Sequence, residues 1–236
     1  MYAAAAISTN LSKLDIAALA MCRGLTQNTT SRIVSVSTLQ RAKAGETLFT
    51  EGDEADGIYE VVSGMLRLYK LLPDGRRQIT GFLSAGQILG IAPRGKHAYS
   101  AEAINDVSLC RYPRVGLDRL IDEVPALARR LLAVTSLELC TAQDQMLLLG
   151  RKAAAEKVAS FLLLMADQQG ADDEVAVPMS RGDIADYLGL TTETVSRTFT
   201  KLKTLGLIAL PTPNRIEIRD RDQLEDFAIG QTETGF

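Results

Sequence analysis

Met179-Ser180-Arg181-Gly182-Asp183-Ile184-Ala185-Asp186-Tyr187-Leu188-Gly189-Leu190-Thr191-Thr192-Glu193-Thr194-Val195-Ser196-Arg197 carries two helix starts and one helix stop in a single short stretch. Ser180 and Asp183 have the spacing of a capping box, a hydroxyl and a carboxylate that both meet backbone N–H groups with no partner inside the helix. That helix runs through Ile184, Ala185, Tyr187 and Leu188 and stops at Gly189, a residue free to turn left-handed. Thr191 then caps a second helix, Thr192 to Leu205. Ala185, Gly189 and Val195 lie four and six residues apart, as a helix-turn-helix needs. Alanine allows close approach, glycine makes the turn, and valine locks the second helix on the first. The same spacing also suits an ordinary antiparallel helix pair.

The outward face of the second helix separates the two readings. Glu193, Ser196 and Arg197 share one face near its N-terminus, while Val195, Phe199 and Leu202 turn inward. Arginine makes bidentate contacts to guanine O6 and N7, and a glutamate accepts from cytosine N4. Ser180, Arg181, Thr191, Thr192, Lys201 and Lys203 surround this face as candidates for phosphate contacts, which position a protein without reading sequence. The plainer role for Glu193 and Arg197 is a surface pair four residues apart, worth about 0.3 kcal/mol. Downstream, Leu207-Ile208-Ala209-Leu210, a turn from Pro211 to Asn214, and Arg215-Ile216-Glu217-Ile218 form strand, turn and strand. These are expected to make a wing beside the helices.

Moving towards the N-terminus, Gln168 to Glu174 is polar and loop-like. Val158, Phe161, Leu162 and Met165 have helical spacing, and Gly150-Arg151-Lys152 suits a joint. Before the joint, Ala128, Leu132, Thr135, Leu139, Ala142, Met146 and Leu149 alternate steps of four and three, the pattern of a coiled-coil seam. The stripe could pack on the chain's own upstream domain. However, Leu127, Leu131 and Val134 form a neighbouring apolar stripe for that purpose, leaving the seam for a second copy. Half of the 18 glycines fall between positions 45 and 95, separating short β-type runs such as Ile58 to Val62, Leu66 to Tyr69 and Ile79 to Phe82. Pro73-Asp74-Gly75 supplies a turn between two of them. Such spacing predicts a compact antiparallel barrel or roll. Residues 1–40 are weakly patterned and suit a leader packed on the glycine-rich region after it.

Composition limits the chemistry. One His and three scattered Cys cannot supply the four closely spaced ligands of a zinc site, and His97 is the only imidazole for any triad. No catalytic residue and no metal site is expected. Cys22, Cys110 and Cys140 are expected to be small buried groups. No run approaches the length of a membrane span, and Met1 to Asn10 lacks the pattern of a secretion signal. Gly90 to Lys96 spells the start of a phosphate loop, but His97 replaces its Ser/Thr and strand-like residues come next. A nucleotide hydrolase is therefore the weakest alternative. The net charge of −3 hides a local feature. Residues 192–205 carry Arg197, Lys201 and Lys203 against Glu193 alone.

A glycine-rich roll, a seam helix and a winged helix-turn-helix in this order resemble the Crp/Fnr family of transcription regulators, over about residues 41–225. The resemblance implies an α+β fold in three parts: an N-terminal cyclic-nucleotide-binding-like β-roll, a long dimerisation helix, and a C-terminal winged helix-turn-helix. The expected bounds are 1–40 for the leader, 41–124 for the roll, 125–150 for the helix and 151–236 for the DNA-binding domain. The Glu-x-x-Ser-Arg pattern is that of the Fnr branch and implies recognition of TTGAT half-sites in an inverted repeat, read by Glu193, Ser196 and Arg197. Leu148-Leu149-Gly150-Arg151-Lys152 and the stretch from Asp74 to Phe82 resemble FixK-type members, which act in bacteria on genes for microaerobic respiration and nitrogen fixation. Implied partners are double-stranded DNA, a second copy of the chain, and RNA polymerase meeting the 73–90 loops and the loop near Gly170. The implied location is the cytoplasm, with no membrane partner.

Family sensors need residues that are missing here. The cyclic-nucleotide pocket uses Gly-Glu and an arginine for the phosphate. This chain has Gly86-Gln87, and no arginine lies between His97 and Ala103. An iron–sulfur cluster needs four thiolates; Cys110 resembles one ligand, but the N-terminal trio is reduced to Cys22. His97 is expected to be a solvated loop residue and not a haem ligand. No cofactor is expected, and a small-molecule-gated sensor of the same fold is the alternative.

Overall fold

The computed structural model describes residues 19–91, 95–171 and 173–231. Met1 to Asn10 lies outside the described residues, as does the middle of the phosphate-loop-like stretch. Two compact units are distinguished: residues 1–70 with 80–139, and residues 71–79 with 140–236.

In the first unit, α1 (Gln27–Val36) starts where Thr26 Oγ1 accepts from Thr29 N at 3.3 Å. The strands run in the order β1 (Thr38–Ala42), β2 (Thr47–Phe49), β3 (Gly57–Ser63), β4 (Leu66–Leu71), β5 (Arg77–Leu83), β6 (Ile88–Leu89), β7 (Ser100–Ala103) and β8 (Val107–Pro113), with the last residue of β4 and the first three of β5 falling in the second unit. They form two four-stranded sheets, ordered β1-β8-β3-β6 and β2-β7-β4-β5. The first is antiparallel throughout, with Ile58 opposite Tyr112 and Glu60 opposite Cys110. Val61, Leu66, Leu89, Ala101, Val107 and Leu109 form one buried core cluster. Along β8 the two-residue period of a strand turns Val107 and Leu109 to this core and Cys110 and Tyr112 to a second one. At the turn the sequence predicted, Asp74 Oδ1 accepts from Arg76 N at 3.0 Å.

A second core cluster joins α1, α2 (Arg114–Glu123) and the start of α3 (Pro125–Arg151) to the roll through Met21, Ile33, Tyr112, Leu117 and Leu127. Glu60 is fully buried beside it. Its carboxylate accepts from the backbone N–H groups of Ala20 and Met21 and from Tyr112 Oη, while Arg130 Nε donates to Ala20 O at 2.8 Å. Burial raises its pKa above the ordinary carboxylate value, against those donors. Each of the three donors would be left unpaired at about 1–3 kcal/mol without the carboxylate. Residues 19–25 are thus fastened to the roll and do not trail from it.

Several expectations are corrected here. β1 begins at Thr38, so the roll starts inside the stretch assigned to the leader. His97 is not solvated: it is 4% exposed and stacks on Phe49 at 3.5 Å between ring centroids. Burial pushes its pKa below the ordinary imidazole value, against the pull of Asp53 and Asp56. Cys22 and Cys110 are buried, but Cys140 is exposed. Burial, with Glu60 and Cys110 nearby, pushes the Cys22 thiol up to about 11. Such a thiol is a poor nucleophile at neutral pH.

The second unit contains the end of α3, α4 (Ala154–Gln169), β9 (Glu174–Ala176), α5 (Arg181–Leu188), α6 (Thr192–Thr204), β10 (Ile208–Thr212), β11 (Arg215–Ile218) and α7 (Arg221–Ala228). β10, β11 and β9 pair in that order. The loop expected from Gln168 to Glu174 is thus shorter than its sequence suggested, since Gln168 and Gln169 end α4 and Glu174 begins β9, and the wing has a third member. Val158, Phe161, Leu162, Val175, Ile184, Leu188, Val195, Phe199, Leu202 and Ile216 are buried. Asp220 caps α7, and Arg221 pairs with Glu225 within it and with Asp167 of α4.

Candidate nucleic-acid interface

α5 is only eight residues long, so its ends decide whether it persists. Ser180 Oγ accepts from Asp183 N at 3.0 Å, and Asp183 Oδ2 accepts from Ser180 N at 3.2 Å, completing the predicted capping box. At the other end Gly189 adopts φ +62°, the left-handed region where a side chain costs about 1–2 kcal/mol. Gln145 Nε2 donates to Tyr187 O at 3.0 Å and Lys157 Nζ to Leu188 O at 3.3 Å, partnering the last carbonyls of α5.

α6 begins after Thr191, whose Oγ1 accepts from Thr194 N at 3.2 Å. Val195, Phe199 and Leu202 are buried against the rest of the unit, and Ala185 and Gly189 sit at the contact and the turn. Glu193, Ser196 and Arg197 are all exposed on the opposite side of α6. Arg197 Nε lies 3.4 Å from Glu193 O, and Ser196 Oγ donates to Thr192 O at 2.9 Å. Glu193's own backbone N–H and the Thr191 hydroxyl, with Arg197 adding, hold its carboxyl below the usual carboxylate range. It is therefore an acceptor at neutral pH, and Arg197 is a donor.

The flanking residues differ from one another. Ser180, Thr191, Thr192, Lys201 and Lys203 are exposed. Ser180 and Thr191 already cap α5 and α6 through their hydroxyls. Lys201 Nζ lies 5.6 Å from the Phe227 ring centroid. Arg181 is half-buried, with its guanidinium over the Phe199 ring at 3.4 Å, and burial lowers its pKa. This cation–π contact fastens the start of α5 to α6. Arg77 and Gln78, which the sequence placed in the FixK-like stretch from Asp74 to Phe82 without giving them a role at the site, also reach α5. Arg77 pairs with Asp183 and Asp186, and Gln78 Nε2 donates to Asp186 O at 2.7 Å. No local pattern signals these contacts, because Arg77 and Asp186 are 109 positions apart.

On α3 the two apolar stripes part company. Leu127 is buried, and Leu131 and Val134 pack against the first unit's second core cluster. Ala128, Leu132, Thr135, Leu139, Ala142, Met146 and Leu149 are exposed, among them Leu132 at 67%, Leu139 at 59% and Met146 at 71%. Among the described residues no helix is long and apolar enough to cross a membrane.

A profile of the Crp-like helix-turn-helix domain matches residues 156–227, and one of the cyclic nucleotide-binding domain matches residues 39–124. The chain is 52% identical over 171 residues to the nitrogen fixation regulation protein FixK of Bradyrhizobium diazoefficiens, covering 71% of this chain and 72% of that protein. It is 46% identical over 187 residues to the transcriptional activatory protein AadR of Rhodopseudomonas palustris, covering 78% of each. The solved structure of FixK2 from Bradyrhizobium japonicum superposes with a TM-score of 0.78 at 42% identity, over 81% of this chain and 97% of that one.

Proposed function

Because the chain belongs to the Crp/Fnr family, as a FixK-like DNA-binding transcription regulator, we propose that it binds DNA as a homodimer and activates transcription from an inverted repeat of TTGAT half-sites. The observation that carries this reading is the outer face of α6. Glu193, Ser196 and Arg197 stand exposed and together, while every apolar residue of the helix's other side is buried. Arg197 reads the guanine and Glu193 accepts from a cytosine amino group, with Ser196 between them. Ser180, Arg181, Thr191, Thr192, Lys201 and Lys203 are the proposed phosphate and positioning set, Arg181 acting through Phe199. Because α6 sits on α5 through Ala185 and Gly189, its N-terminal end is free to enter a major groove.

The seven exposed positions on α3 form the proposed dimer seam. Two copies joined along it are related by a two-fold axis, and a two-fold protein matches a palindromic site. Two α6 helices then enter successive major grooves about 34–36 Å apart. RNA polymerase would meet the 73–90 loops and the loop near Gly170. Genes of microaerobic respiration or nitrogen fixation, in the cytoplasm, are the proposed targets, and no bound cofactor is needed for the DNA contact.

Spacing tests the two-fold arrangement. Five base pairs inserted between the half-sites turn the second site by half a helical turn, onto the far side of the duplex. The expected result is a loss of at least a hundredfold in affinity at fixed salt, measured by titration of labelled duplexes. Equal affinity for both duplexes would show that the half-sites are bound independently and would contradict the homodimer reading.

A further inference from the structure

Within the second unit α5 is held by side chains far from it in sequence. Gln145 and Lys157 take its last carbonyls. Along its middle stands Arg77, on the segment 71–79. Its Nε lies 3.0 Å and one terminal nitrogen 2.8 Å from Asp186 Oδ2, and the same nitrogen reaches Asp183. Gln78 adds its bond to the carbonyl of Asp186. A guanidinium fork held between two carboxylates fixes direction as well as distance. Arg77 is only 27% exposed and Asp183 only 6%, so the grip is sheltered from water. α5 has no comparable freedom left. Its N-cap, its middle and both of its last carbonyls are each bonded to a named partner.

We propose that Arg77 is a positioning residue for DNA recognition: through Asp186 and Asp183 it sets the orientation of α5, and through α5 that of the reading face on α6. The chain of contact is continuous. Arg77 grips α5, Arg181 at the first turn of α5 lies over Phe199 of α6, and the same α6 carries Glu193, Ser196 and Arg197. A small tilt of α5 therefore moves the ends of those side chains away from the base edges. Bidentate base contacts tolerate little displacement.

This inference rests on the DNA-binding reading, and one experiment separates the two. Asp186→Asn removes a carboxylate from the DNA-binding unit while keeping the Gln78 bond to the Asp186 backbone. Electrostatics alone predicts equal or tighter DNA binding, since one negative charge is lost. The positioning role predicts the reverse, a loss of about fivefold to tenfold on the TTGAT inverted repeat. Binding to a scrambled duplex should be unchanged or slightly tighter, so discrimination falls. Arg77→Lys keeps the charge without the fork and is expected to show the same loss of discrimination. Circular dichroism and melting curves on both variants verify that binding is measured on folded protein. If the wild type does not distinguish the two duplexes, the DNA reading fails. If the wild type does and Asp186→Asn keeps its full discrimination, Arg77 is only a structural contact and the proposal is overturned.

Discussion

Replacing Arg197 by alanine is expected to weaken binding to the TTGAT inverted repeat by about fivefold to 150-fold per half-site, the loss of about 1–3 kcal/mol that a bidentate guanine contact supplies. The substitution is mild for the fold. Arg197 is exposed, its Nε reaches only the backbone of Glu193, and alanine favours the helix. The expected loss is selective. Wild-type protein should discriminate against a duplex with the half-site guanine replaced by adenine, and the variant should bind both duplexes alike. A phosphate contact behaves differently. Its removal weakens all sequences together and lowers the slope of log Kd against log salt by about one. Titrations of wild type and variant against both duplexes, at three salt concentrations, distinguish the outcomes. Uniform weakening with a reduced slope would remove Arg197 from the reading face.

Leu139→Glu is also expected to have a large effect, although Leu139 lies far along the chain from the reading face. The side chain is 59% exposed in the single chain, so glutamate leaves the protomer's own core untouched. At the centre of the proposed two-fold seam, however, it would bring two carboxylates together and take them out of water, a penalty of several kcal/mol per ion. The variant should sediment as a monomer at concentrations where the wild type is a dimer. Its affinity for the inverted repeat should fall more than a hundredfold, because each half-site is then bound alone. Unchanged melting of the monomer would show that the fold survives. A variant that remains dimeric would exclude this stripe as the seam, leaving its exposed leucines unexplained.

The elements built from local chemistry were the ones legible in the sequence. The capping box at Ser180 and Asp183, the turn at Gly189, the Thr191 cap and the inward set of Val195, Phe199 and Leu202 are decided within a few residues of one another. So is the division of α3 into two apolar stripes, which needs only a helical period. What stayed hidden depends on distant residues or on elements too short to show a period. β9 has three residues, and it becomes a strand by pairing with β11, through Val175 opposite Ile216. α7 holds its place by Arg221 pairing with Asp167, 54 positions away. His97 has the neighbours of a loop residue, between Lys96 and Ala98, and nothing local indicates that it would stack on Phe49.

The candidate site shows the same division. Glu193, Ser196 and Arg197 could be placed on one face from helical spacing alone. The grip of Arg77 and Gln78 on α5 could not, since it joins segments more than a hundred residues apart. Arg181 is an instructive intermediate. Its charge and position beside the helix start suggest a phosphate contact, but the structure lays its guanidinium on Phe199, a residue the sequence had already turned inward. Net charge was uninformative at the scale of the chain. The relevant quantity is the charge on one exposed helix face, which a sum of −3 over 236 residues conceals.

The central claim is that this protein reads a specific sequence through the outer face of α6. It is tested most directly by competition, at one fixed salt concentration, between a duplex carrying the TTGAT/ATCAA inverted repeat and a duplex of the same composition with both half-sites scrambled. Preference for the repeat by about a thousandfold or more is predicted, in the range that separates specific from non-specific DNA binding. Equal affinity for the two duplexes would contradict it.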